Sequence, residues 1–197
     1  MRGGADHLRR GAMAAALCLG TAVGAAPVDY QLTPTHSFVH FEWPHAGLST
    51  LIGRFDRVAG TVTLDAAARR GSGQISVQPA SINTGRPALD QALRAALAPD
   101  TALQVMLSLV LGEDGTPARV QAVLQARGEQ PVLTLPLQRV HYHCYTSPLL
   151  RREVCGGEFS ATLDPAALGV QLAPAFGLQG PVTLRLQVEA VRQEPAP

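Results

Sequence analysis

The sequence contains no lysine: all 16 basic residues are arginine, and 15 acidic residues leave a formal net charge of only +1. Without a basic excess there is no electrostatic footprint for a nucleic-acid partner, and that class is excluded. An apolar run of the roughly 20 residues that a membrane-spanning helix needs is also missing. The stretch Gly11 to Ala25 is shorter and built largely from alanine and glycine. There is no internal repeat and no low-complexity segment. No Gly-x-Ser-x-Gly elbow surrounds Ser37, Ser49 or Ser81, and no Ser, His and acid arrangement is legible, so hydrolase chemistry lacks support. Asp56, Asp65, Asp90 and Asp164 stand beside turns or at a helix start, where aspartate caps backbone amides, and do not read as a glycosidase pair. Cysteine is scarce, with three in the chain and no Cys-x-x-Cys spacing, which excludes a dithiol redox centre of that type.

What is present begins with a targeting signature. Arg2, Arg9 and Arg10 precede the small apolar stretch, and Val23, Gly24, Ala25 and Ala26 suit signal peptidase, so residues 1–26 are expected to be a cleaved secretory signal. Leu17 precedes Cys18, where a lipoprotein site needs a small residue, so lipid attachment is not expected there. Residues 27–192 have the length of one domain with one core, and residues 193–197 are expected to form a loose tail. Beyond the signal, 13 basic residues face 14 acidic ones, a net charge of −1. Cys144 and Cys155 then remain as an even pair, expected to form a disulfide in an oxidising compartment; the alternative is two thiols at the ends of adjacent strands.

The pattern after the signal is strand upon strand. Val39, Phe41 and Trp43 alternate with Phe38, His40 and Glu42, and Pro44 is expected to end that strand, with a crossover before a return at Arg54. Thr61 to Leu64, Gln74 to Ser81, Leu103 to Leu111, Arg119 to Gln125, Val132 to Val140 and the run through Phe159, Ala161 and Leu163 follow, with turns at Gly112–Gly115 and Gly128–Pro131. Val182, Leu184, Leu186 and Val188 give the last strand a clear inward face. Between Pro87 and Ala98 the period changes: Leu89, Leu93 and Leu97 are spaced by four, which predicts one short helix. An all-β sandwich or closed barrel is implied.

Several of these strings together resemble the YceI-like family of lipocalin-like, polyisoprenoid-binding periplasmic proteins. They are Tyr30 to Phe55, Gly60 to Asp65 (GTVTLD), Gln74 to Gly85 (QISVQPASINTG), Asp90 to Leu93, Thr134 to Val140 (TLPLQRV) and Pro181 to Arg192. The resemblance implies an eight-stranded antiparallel barrel with one short helix around a long apolar cavity, with an isoprenoid quinone or prenyl phosphate as guest and no cofactor. It also implies a periplasmic location, transient membrane contact and a homodimer. Ala95–Ala98 and Pro165–Gly169 depart from the family pattern, the latter replacing Arg-x-Asp-Phe-Gly, and the turn at Gly128–Pro131 is one residue short.

The side chains expected to line the cavity are Val39, Phe41, Trp43, Phe55, Ile75, Val77, Leu124, Leu133, Leu135, Phe159, Leu184 and Leu186, with small Ala122 and Ala161 leaving room. The alternative is a barrel filled by these same side chains, acting through its surface as a stress-response or interaction module. His45 is expected at the polar mouth beside the Trp43–Gly53 crossover. His36 with His40 and His141 with His143 share strand faces, but no acidic or thiolate partner stands at a ligand spacing, so no metal site and no enzyme activity are expected.

Overall fold

The computed structural model describes residues 26–97, 101–125, 133–172 and 174–194. The expected signal segment to residue 25, the Gly128–Pro131 turn and the last three residues of the tail lie outside the described residues. Among the described residues there are eleven strands: β1 (Val28–Leu32), β2 (Phe38–His45), β3 (Ser49–Phe55), β4 (Val58–Asp65), β5 (Arg70–Val77), β6 (Ile82–Asn83), β7 (Leu103–Leu111), β8 (Pro117–Gln125), β9 (Leu133–Thr146), β10 (Glu153–Leu163) and β11 (Val182–Arg192). The helix α1 covers Pro87–Leu97.

All pairings are antiparallel and they close on themselves. β11 lies against β10 along one side, while on its other side Leu184 faces Phe41 of β2 and Gln31 of β1 faces Val191. β1 and β2 therefore act as one interrupted strand. β3 with β4, and β5 with β6, do the same, so the ring has eight strands, as the family resemblance implied. Closure leaves no sheet edge around the ring, and alternation along each strand points one set of side chains inward.

Ser37 holds the interruption between β1 and β2 in place. It is completely buried; its hydroxyl donates to the Glu189 carbonyl and accepts from the Glu189 amide, each at 3.2 Å, while the Thr33 amide bonds the same carbonyl at 2.8 Å. Two breaks in pairing are thus satisfied by one side chain. On the outside, Arg185 of β11 reaches Glu42 of β2 at 2.7 Å and Glu158 of β10 at 3.3 Å, tying three neighbouring strands together.

Two sequence expectations need correction. Pro44 does not end its strand: it pairs opposite Thr50 within β2, and the return strand begins at Ser49, five residues before Arg54. The proline is tolerated because it lies near the strand's end, beyond the last β11 pair at Thr183 and Glu42, on the side where its carbonyl accepts from the Gln179 amide at 3.1 Å and where its missing N–H interrupts no ladder. The connection is a tight turn with Ala46 and Gly47 both at positive φ. The strand expected to end at Val140 continues to Thr146, because β10 pairs with it as far as Glu153. That extension places Cys144 opposite Cys155, and the two form the expected disulfide. A loop of this length contributes roughly 3 kcal/mol in the chain-entropy account.

Removing the Ser37 hydroxyl takes from the part-buried Glu189 amide its hydrogen-bond acceptor. Ser37→Ala is expected to lower stability by about 1–3 kcal/mol in urea-induced unfolding. An unchanged midpoint would show that the interruption is held by other contacts.

Candidate functional site

Two cavities lie in the apolar barrel interior formed by the described residues. The first, about 110 Å³, sits under α1 at the end that carries the β2–β3 turn. Val39, Phe41, Trp43, Phe55, Val77, Leu124, Leu135, Leu184 and Leu186, nine of the expected lining residues, surround it. Ile75 and Phe159 line the second, of about 70 Å³, nearer the other end. Leu137 and Leu186 line both and stand between them. Each cavity alone is on the scale that holds a small apolar molecule, not a long chain.

Glycines set the orientation of two rings. A methyl group on Gly53 would occupy the place of the Phe41 ring, and one on Gly157 would meet Phe159, so both rings lie against the wall instead of across the lumen. Phe41 and Phe55 pack with centroids 6.0 Å apart. Trp43 is buried, and its indole Nε1 has neither accessible surface nor a hydrogen-bond partner among the described residues, so it presents no donor to the lumen.

Leu133 and His45 line neither cavity. Leu133 is half-buried against the edge of the core. His45 is covered by the segment after the short 3-10 turn Pro174–Phe176: Gly177, at positive φ, lies beside its ring, and Leu178 bridges to its backbone. Its Nδ1 is 3.5 Å from Ser49 Oγ. His141 and His143 are exposed on the outer face of β9, and His36 lies 3.8 Å from Glu189.

The helix was expected at the mouth beside the Trp43–Gly53 crossover, but the side chains that cover the first cavity were not singled out from the sequence. Leu93 and Leu97 of α1 reach it, and so do Pro165, Leu168 and Val170 around the 3-10 turn Pro165–Leu168. The leucines at a spacing of four carried the first signal. Asp164, whose carboxylate caps the Ala166 amide at 3.0 Å before a proline, carried the second. This turn occupies the place where the family resemblance led one to expect Arg-x-Asp-Phe-Gly, and it gives the cavity an apolar lid.

Polar chemistry gathers at the opposite end. Tyr30 donates to Glu153 Oε2 at 2.6 Å, and Arg192 Nη1 approaches the same carboxylate at 3.8 Å. The Tyr142 hydroxyl is 3.2 Å from Cys144 Sγ. Burial, then the hydrogen bond to Glu153 and its charge, push the Tyr30 phenol well above its ordinary value; burial and the Glu153 charge raise Tyr142 as well. On the exposed β7–β8 turn, Asp114 accepts from the Thr116 amide at 3.0 Å and hydroxyl at 2.8 Å, which lowers its pKa. For Tyr30 the folded pKa lies above the unfolded one, so its stabilising effect is complete below the unfolded value and lost as pH rises. Stability is expected to hold up to roughly pH 10 and fall beyond it as the unfolded chain's tyrosines ionise. Tyr30→Phe is expected to flatten much of that decline, measured by urea unfolding across the alkaline range.

Comparison with known proteins agrees with this geometry. The chain matches the YceI-like domain model over residues 30–190. It is 30% identical over 89 residues to a UPF0312 protein of Shewanella denitrificans, a match spanning 45% of this chain and 47% of that relative, about half its length. The fold is similar to BcnA of Burkholderia cenocepacia, with a TM-score of 0.58 at 15% identity over 80% of this chain and 98% of that one. It is similar to a polyisoprenoid binding domain from Saccharophagus degradans implicated in plant cell wall breakdown, with a TM-score of 0.53 at 17% identity over 83% and 98%. A YCEI protein of Campylobacter jejuni gives 0.57 at 16% identity over 75% and 88%. With a closed eight-stranded barrel, a single helix over its apolar lumen and a domain match across nearly all the described residues, the chain belongs to the YceI-like family.

Proposed function

We propose that this protein is a non-catalytic periplasmic carrier that shelters the tail of an amphiphilic isoprenoid lipid inside the barrel. The observation that carries this reading is the pair of predominantly apolar cavities that share Leu137 and Leu186 in their linings. An eight-stranded barrel is just wide enough to be filled by its own side chains or to hold one slender ligand. Here the balance is close. Turning two leucines away from their preferred rotamers costs about 0.5–1.5 kcal/mol each. Burying one five-carbon isoprene unit returns roughly 4 kcal/mol at about 0.8 kcal/mol per methylene. A chain of several units therefore opens the partition with energy to spare.

The likeness to a polyisoprenoid binding domain supports the choice of tail. The disulfide fits an oxidising compartment, and with the signal-like first 26 residues it supports a periplasmic location. Leu48 and Ile52, 86% and 63% exposed beside the covered end, suit transient contact with a membrane. The same partition also favours a second reading, a self-filled barrel acting through its surface.

The two readings separate in one experiment. Trp43 is the only tryptophan and lines the first cavity, so its emission reports loading. Titration with a prenyl lipid is expected to change that emission. Protein purified gently from its own host is expected to carry lipid in native mass spectrometry. Ala122→Phe, which fills the first cavity, is expected to weaken binding at least about tenfold while the barrel remains folded. A wild-type protein that is empty from its host and indifferent to prenyl lipids would leave the self-filled barrel.

A further inference from the structure

The hairpin of β9 and β10 ends in a turn that presents apolar side chains to water. Leu149 is 89% exposed and Leu150 43%, and Tyr145 beside them is half exposed. They stand at the end of the barrel remote from α1. There β9 runs on to Thr146, well past its last β8 pair at Leu137, and β10 begins before its first β11 pair at Val154. The tip therefore projects from the ring.

This turn is firmly held. Ser147 is buried: its amide donates to the Arg152 carbonyl at 2.9 Å, its carbonyl accepts from the Arg151 amide at 2.8 Å, and its hydroxyl accepts from the Leu150 amide at 3.3 Å. The Cys144–Cys155 disulfide closes the base of the hairpin. Arg151 has a φ of 53°, a conformation that glycine adopts freely and an arginine only with strain. Folding alone would favour glycine at that position.

Charge at the tip is of one sign. Among the described residues Arg151 and Arg152 form no ion pair, and most carboxylates of this end are engaged by other groups. Tyr30 and Arg192 hold Glu153, at 2.6 and 3.8 Å; Arg69 is 3.9 Å from Glu113, and Arg70 4.0 Å from Asp65. Asp114 lines the cleft at the hairpin's base, with Cys144 and with Ala26 and Val28, so the amino terminus expected at Pro27 stands on its side.

We propose that this tip docks the protein on an anionic bilayer surface. Leu149 and Leu150 enter the headgroup boundary, while Arg151 and Arg152 lie against lipid phosphates. Apolar side chains flanked by arginine, with a tyrosine at the water boundary, complement such a surface in both polarity and charge. The tip is too small for a specific protein partner, whose interface buries at least about 1,200 Å². It differs from the contact at Leu48 and Ile52, at the other end, where the neighbouring Arg54 is paired with Asp56. The same hairpin supplies Tyr142 and Cys155 to the second inner cavity, so docking sets that cavity on the membrane side. The docking itself requires no guest in the lumen.

Flotation with vesicles tests it, using protein purified from its own host and either phosphatidylcholine alone or an equal mixture with phosphatidylglycerol. Binding to the mixed vesicles is expected to be at least about tenfold stronger and to weaken as salt is raised. Leu149→Ser with Leu150→Ser is expected to lower it at least about tenfold. Arg151→Gly with Arg152→Gln, which also relieves the positive φ, is expected to remove most of the preference for the anionic lipid. Leu48→Ser with Ile52→Ser is expected to leave that preference unchanged. Should a double variant not fold, Leu149→Ser decides alone, its side chain being almost wholly in water. No binding by the wild-type protein, equal binding to both vesicles, or binding unchanged by the tip substitutions would overturn the docking tip. None of those results touches the tail reading, which Trp43 emission tests separately.

Discussion

The structure depends on the pairing of β11 along both its sides. β10 follows it through ten residue pairs, and β1 and β2 share the opposite side with Ser37 bridging their interruption. That one strand converts a meander into a ring. Once the ring is closed, the identity of every inward residue is a question of volume. With eight strands the lumen is narrow, so single methyl groups decide whether it is filled or hollow. Gly53 and Gly157 let aromatic rings lie against the wall, and Ala122 and Ala161 are buried inward positions with almost no side chain. The voids that result are lined almost entirely by apolar side chains.

Closure also makes the two ends of the barrel unequal. One end is covered by α1 and by apolar residues of the Pro165–Leu168 turn. The other gathers Tyr30, Glu153, Arg192, Tyr142 and the disulfide around the beginnings and ends of strands, where backbone turns leave room for polar side chains. Leu137 and Leu186 stand between these ends, facing both inner cavities.

Much of the fold was legible because period-two alternation survives in nearly every strand. Val39, Phe41 and Trp43 point inward as read, and so do Leu184 and Leu186. The helix was legible because Leu89, Leu93 and Leu97 follow Pro87 with Gln91 breaking the period-two alternation of a strand, and the cysteine pair because only two cysteines remain after the expected signal. What escaped depended on contacts remote in sequence. Pro44 stays inside a strand because the β11 ladder beside it has already ended at Glu42, so its missing N–H breaks no pairing. His45 is turned from the lumen because Gly177 and Leu178 fold over it. Tyr30 and Glu153 are separated by 123 positions, and nothing local to either announces their hydrogen bond. The partition of the lumen was equally hidden, since alternation tells which side chains face inward but not how far they reach.

The central claim is that a flexible chain occupies both inner cavities by displacing the leucines between them. Nuclear Overhauser contacts from a carbon-13-labelled isoprenoid chain to the methyl groups of the protein test it most directly. The account predicts contacts to Leu137 and Leu186 together with residues found in only one cavity each, Leu124 on one side and Leu109 on the other. Contacts confined to exposed residues such as Leu48 and Leu149, with the interior methyl groups unperturbed, would contradict it.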